Sequence, residues 1–216
     1  MASTLIISCL SQKGGVGKST ISRLVATAYA THHWRVKIAD LNVKQKTSVD
    51  WSALRMLAGV EPEVTAEAFV RVKPALEQIY DLLVFDGKPD TESETLDAAK
   101  ISTLVIVPTG PTLDDLKPQI NFAREMLLRG IDRQKIFFII NKTTDSTIAT
   151  NDARENIQAA GFAVAQTDIP IKVGYQMAQN MGRAISETSF RKLNERAELL
   201  AAEIVAKVDK ITGLKK

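Results

Sequence analysis

With 216 residues, 45% of them hydrophobic and 25% charged, the chain has the size of one domain (1–216) and the composition of an ordinary folded protein, which excludes disordered and fibrous classes. Its net charge of +3 does not by itself imply a nucleic-acid partner. The single Cys9 excludes an intrachain disulfide, and no apolar run approaches the roughly 20 residues of a membrane span, so a cytoplasmic protein without stable membrane insertion is expected.

Along the chain, short apolar runs alternate with longer helix-like segments. Strands are predicted at 4–11, 35–40, 82–86, 103–108 and 135–141, with a weaker one at 162–167. Helices are predicted at 19–31, 47–58, 72–80, 113–129, 150–160, 173–181 and 189–211. Such alternation implies an α/β fold, a mostly parallel twisted sheet, doubly wound with helices on both faces. Right-handed crossovers place every loop that follows a strand on one edge of the sheet, where ligands bind. Residues 59–71 fit neither period, and Cys9, inside an apolar strand, reads as a buried small hydrophobe.

The first strand runs into Lys13-Gly14-Gly15-Val16-Gly17-Lys18-Ser19-Thr20. Glycines let successive backbone N–H groups converge on a phosphate, and the helix that follows adds its positive end. Lys18 is then expected at the β/γ-phosphates and the Ser19 hydroxyl on Mg²⁺. The strict pattern needs glycine at position 12, where the chain has Gln12, and a second lysine, Lys13, follows.

This loop resembles the deviant P-loop of the ParA/MinD superfamily, whose signature lysine crosses a nucleotide-sandwiched dimer to the partner's phosphates. The resemblance gives that role to Lys13; a solvated lysine at the loop mouth is the competing reading. It also implies ATP and Mg²⁺ as ligands, with Gly14, Gly15, Val16, Gly17, Lys18, Ser19 and Thr20 around the phosphates. The segment Asp40-Leu41-Asn42-Val43-Lys44-Gln45 corresponds to the family's second motif, in which the acid matched by Asp40 polarises the attacking water. Asn42 and Val43 depart from that motif, and a turn-capping aspartate is the alternative. The strand ending at Asp86 reads as a Walker B segment that holds Mg²⁺, although Gly87-Lys88-Pro89 departs from the usual continuation. Resemblance further places Asn141 near the adenine and Pro170 on the other side of the base pocket, and gives the segment 104–114 to dimer contact and nucleotide sensing.

The strand that carries the loop opens the sequence, which is similar to the short (type Ib) ParA class of plasmid-partition ATPases. That likeness implies an ATP-dependent homodimer, non-specific DNA binding, a centromere-bound ParB-like partner that stimulates slow hydrolysis, and nucleoid association in the ATP state. Seven basic residues against four acidic ones from Phe190 onward offer cations for phosphate contacts. A MinD-like membrane-associated ATPase is the alternative, because Leu199, Leu200, Ile204, Val205, Val208 and Ile211 follow helical spacing that suits either a bilayer or the core. A small-molecule ATP-dependent enzyme also stays open, whereas an iron–sulfur relative requires paired cysteines.

Overall fold

A computed structural model describes residues 4–89, 93–144 and 146–213. Eight strands form one sheet: β1 (Leu5–Ser11), β2 (Val36–Asp40), β3 (Thr65–Ala68), β4 (Leu82–Pro89), β5 (Leu104–Thr109), β6 (Ile136–Thr143), β7 (Ala163–Val164) and β8 (Ile169–Pro170). Their order is β3-β2-β4-β1-β5-β6-β7, with β8 also paired to β6. The pairings are parallel. β1 therefore lies at the centre, and the ends of its neighbours surround the loop that leaves it.

Successive strand residues face opposite sides, so each strand feeds two cores. Ile7, Cys9, Ile38, Val84 and Ile106 pack beneath α1 (Lys18–Ala30), α2 (Thr47–Leu57), α7 (Val173–Gln179) and α8 (Arg191–Thr212). Leu10, Ala39, Phe85, Val105 and Val107 pack beneath α3 (Val72–Leu76), α4 (Ser93–Ile101), α5 (Leu113–Leu128) and α6 (Thr147–Ala159). Burial of both faces explains why the strands read as continuous apolar runs.

The C-terminal apolar stripe belongs to the first core. Leu200, Ile204 and Val208 are buried, Val205 and Ile211 pack against them, and Leu199 stays exposed. Among the described residues, no helix is long and apolar enough to cross a membrane.

Four elements depart from expectation, the first being α3, predicted over 72–80 but ending at Leu76. Within the unassigned 59–71, β3 is an edge strand with partly exposed residues, held to β2 by a Lys37–Glu67 ion pair of 2.7 Å, so it lacks an apolar pattern. Helix α4 carries too few apolar residues to announce a period. The segment predicted as one strand at 162–167 holds only β7, and β8 follows as a separate two-residue strand.

Candidate nucleotide site

The loop after β1 is held open from several directions. Gly15 and Gly17 take φ of 75° and 97°, left-handed values that side chains other than glycine rarely adopt. At Gly17, the position of a Cβ lies 1.9 Å from Asn141 Nδ2. That amide donates to the Val16 carbonyl at 2.9 Å, so Asn141, at the end of β6, is committed to the shape of the loop. Gly17→Ala is expected to lower stability by roughly 1–2 kcal/mol through backbone strain, and to dislodge Asn141; chemical denaturation checks it.

Lys18 follows as the first residue of α1. It is only 7% exposed, and its Nζ donates to the Lys13 carbonyl at 3.1 Å. Burial pulls its pKa down, and the charge of Asp86 opposes this. A buried ammonium on the first turn of a helix that follows a glycine loop suits a phosphate group.

Two carboxylates lie together on neighbouring strands, and the nearer one to Lys18 is Asp86. Asp40 and Asp86 end their apolar runs as direct partners in the β2–β4 register, 1% and 2% exposed. Asp40 accepts from the backbone N–H groups of Asn42 and Ser48 at 2.9 and 3.0 Å. Its pKa is pushed up to about 6, first by burial and then by the Asp86 charge. Burial raises that of Asp86 as well, against the Ser48 and Ser19 hydroxyls and the charges of Arg23 and Lys18. Ser48 bridges the pair, since its hydroxyl donates to Asp86 Oδ2 at 2.6 Å.

The raised Asp40 pKa fixes a sign. Between about pH 4 and pH 6, the folded chain keeps a proton on Asp40 that the unfolded chain has released, so this group's contribution to stability is lost as pH rises through 6. From pH 4 to pH 7, the nucleotide-free protein is expected to lose about 2 kcal/mol relative to Asp40→Asn, measured by denaturant titration at each pH.

A divalent cation fits beside Asp86. Its Oδ1 is buried without a hydrogen-bond partner, and the hydroxyls of Ser19 and Thr47 lie 3.0 Å apart nearby. Hard oxygen donors of this kind suit Mg²⁺, which completes its octahedron with water and substrate phosphate. Among the described residues, no group of three or more His, Cys, Asp or Glu forms a metal cage.

Lys13 stands on the rim, its side chain 38% exposed. Its Nζ donates to Asp115 Oδ1 at 2.5 Å and to the Asp114 carbonyl at 3.2 Å, both on the first turn of α5. The Ser11 hydroxyl accepts from the Lys13 N–H at 3.0 Å and from Gln119 Nε2 at 2.7 Å. Thr20 donates to Gln179 of α7 at 3.2 Å, and Pro170 of β8 pairs with Thr143 of β6.

A model of the CobQ/CobB/MinD/ParA nucleotide binding domain matches residues 7–185. The chain belongs to this family.

Solved structures share the fold at low identity. The septum site-determining protein MinD from Pyrococcus horikoshii, complexed with Mg-ADP, superposes with a TM-score of 0.73 at 18% identity, covering 96% of this chain and 98% of that one. Cyanothece McdA in an ATP complex gives 0.73 at 13%, covering 100% and 99%. A putative plasmid partition protein from Borrelia burgdorferi bound to AMPPNP gives 0.72 at 14%, covering 95% and 100%. No curated protein sequence matches the chain significantly.

Departures from the family's motifs have local causes. At Gly87, a Cβ would lie 2.8 Å from Leu10 Cδ2 and 3.0 Å from the Cys9 carbonyl, so close packing of β4 on β1 demands glycine. β4 then continues through Lys88 to Pro89. The Asn42 side chain turns onto Gln45, donating to its Oε1 at 2.8 Å, away from the carboxylates. Cys9 is fully buried with its thiol pushed up to about 12, which keeps it protonated and inert.

Sequence reading missed Ser48, Thr47, Arg23 and Asp115. Arg23 is 9% exposed and donates to the Thr47 carbonyl and Gln179, tying α1 to the segment behind Asp40. Ser, Thr and Arg at these positions carry no signal without knowing which helix ends meet.

Proposed function

We propose that this chain is a ParA-type partition ATPase, a single domain over 1–216 that dimerises with Mg²⁺ and ATP, binds DNA non-specifically and hydrolyses ATP slowly. The division of labour between two lysines carries the reading. Lys18 is buried inside its own loop, whereas Lys13 sits on the rim, where a second protomer's nucleotide can be reached.

In this reading, Lys18 and the N–H groups of Gly14, Gly15, Val16, Gly17 and Thr20 hold the phosphates. Ser19 and Asp86 would hold Mg²⁺, which would supply neutralisation of charge on the transferred phosphoryl group. Asp40 orients the attacking water and accepts its hydrogen bond; its raised pKa brings its proton affinity closer to that of a neutral-pH base. Lys13 stabilises the partner protomer's phosphate charge. Asn141 and Pro170 border the base.

The cargo assignment rests on resemblance and on surface cations. Exposed Arg191, although paired with Glu195, and its basic neighbours in α8 suit a phosphate backbone, while Leu200, Ile204 and Val208 are spent on the core rather than offered to a bilayer. A ParB-like centromere-bound partner would accelerate hydrolysis, and the ATP form would associate with the nucleoid.

Pelleting with sequence-unrelated duplex DNA tests this. ATP-dependent binding that falls at least tenfold between 50 and 200 mM salt is expected. ATP-dependent binding to anionic liposomes without DNA binding would favour the membrane alternative, and turnover that needs a small acceptor would favour an ATP-dependent ligase.

A further inference from the structure

The same Lys13 is occupied within its own protomer. Its ammonium bonds the Asp115 carboxylate and the Asp114 carbonyl, and three features prepare Asp115 to receive it. Thr112, the N-cap of α5, donates its hydroxyl to Asp115 Oδ2 at 2.9 Å while accepting from the Asp115 N–H, so the carboxylate is fixed in a reciprocal cap. At Gly110, a Cβ would lie 2.1 Å from Asp115 Oδ2, so only glycine leaves room for the carboxylate in this position. Finally, α5 grips the loop mouth at a second point through Gln119, which is fully buried and donates to Ser11 Oγ. The ion pair joins residues 102 positions apart, from the rim of the nucleotide loop to the helix that follows β5.

We infer that Asp115 is a positioning residue that latches Lys13 in cis and opposes dimerisation until nucleotide and partner compete for the lysine. This rests on the role proposed above for Lys13, because one ammonium cannot serve Asp115 and a partner's phosphate fully at once. A latched fraction lowers the dimerisation-competent population, and both protomers must unlatch. A partly exposed pair of this kind holds its partner about 1.4- to 5-fold over release, and with both protomers latched the dimer dissociation constant rises roughly 6- to 40-fold. Movement of the first turn of α5 is then the natural way to free the lysine.

The test is sedimentation of the full chain at saturating Mg²⁺ and non-hydrolysable ATP analogue, so that effects on nucleotide affinity drop out. Asp115→Asn keeps an acceptor for Thr112 and removes the charge that holds Lys13. It is expected to tighten the dimer by roughly 6- to 40-fold, whereas Asp115→Glu, which keeps the charge, stays within about threefold of wild type. Asp115→Ser serves in place of the asparagine variant if that protein melts early. An unchanged or weaker dimer for a folded, charge-removed variant overturns the latch. Lys13→Ala separates the two ideas. If it fails to dimerise while Asp115→Asn leaves affinity unchanged, the lysine's role stands and the latch is wrong; if it dimerises like wild type, both fall.

Discussion

Lys18→Ala is expected to weaken ATP binding by about 100-fold or more, with the fold intact by circular dichroism. The magnitude follows from what the side chain does. Charge-assisted hydrogen bonds contribute about 1.5–3 kcal/mol each, and a buried ammonium facing a triphosphate makes more than one. Lys18 also counters the charge of Asp86, which already titrates high because it is buried. Without the lysine, a polyanion would enter a pocket lined by two carboxylates and fewer cations. Isothermal titration with Mg-ATP measures this, and an affinity within threefold of wild type would remove Lys18 from the site.

Asp40→Ala is expected to leave ATP affinity within a few-fold and to lower turnover by roughly 10²–10⁴. In the role proposed for it, Asp40 serves the reacting water rather than the phosphate grip, so binding and chemistry should separate. The alanine also orphans the Asn42 and Ser48 N–H groups, yet relieves repulsion between two buried acids. Asp40→Asn, which preserves an acceptor for Asn42, controls for the backbone. Steady-state turnover beside single-turnover binding distinguishes the effects. Equal hydrolysis in both variants and wild type would make Asp40 a turn cap and nothing more.

What was legible in the sequence was local. The loop from Lys13 to Thr20 carries its chemistry in consecutive residues, and the buried strands announce themselves as apolar runs because both faces of the sheet are covered. The family match over residues 7–185 and the parallel sheet bear out the family and the fold read from them. Elements whose stability comes from a partner were not legible. β3 is held at the edge by Lys37 and by β2, and α4 buries little beyond Thr95, Leu96, Ala98 and Ala99.

The same division runs through the candidate site. Asp40 and Asp86 could be found because each ends an apolar strand. Ser48, which bridges them, is one serine among many until α2 begins behind Asp40. Asn141 was expected near the base from resemblance, and the structure turns its amide onto Val16. The Lys13–Asp115 pair depends on the crossover that sets α5 beside the loop, a distance in sequence that no local pattern spans.

The central claim is that ATP assembles two copies through Lys13. Sedimentation velocity of Asp40→Ala with Mg-ATP, compared with the Lys13→Ala/Asp40→Ala double variant, tests it most directly. A dimer is expected for the first protein and a monomer for the second. A dimer in both, or a monomer in both at saturating ATP, would contradict it.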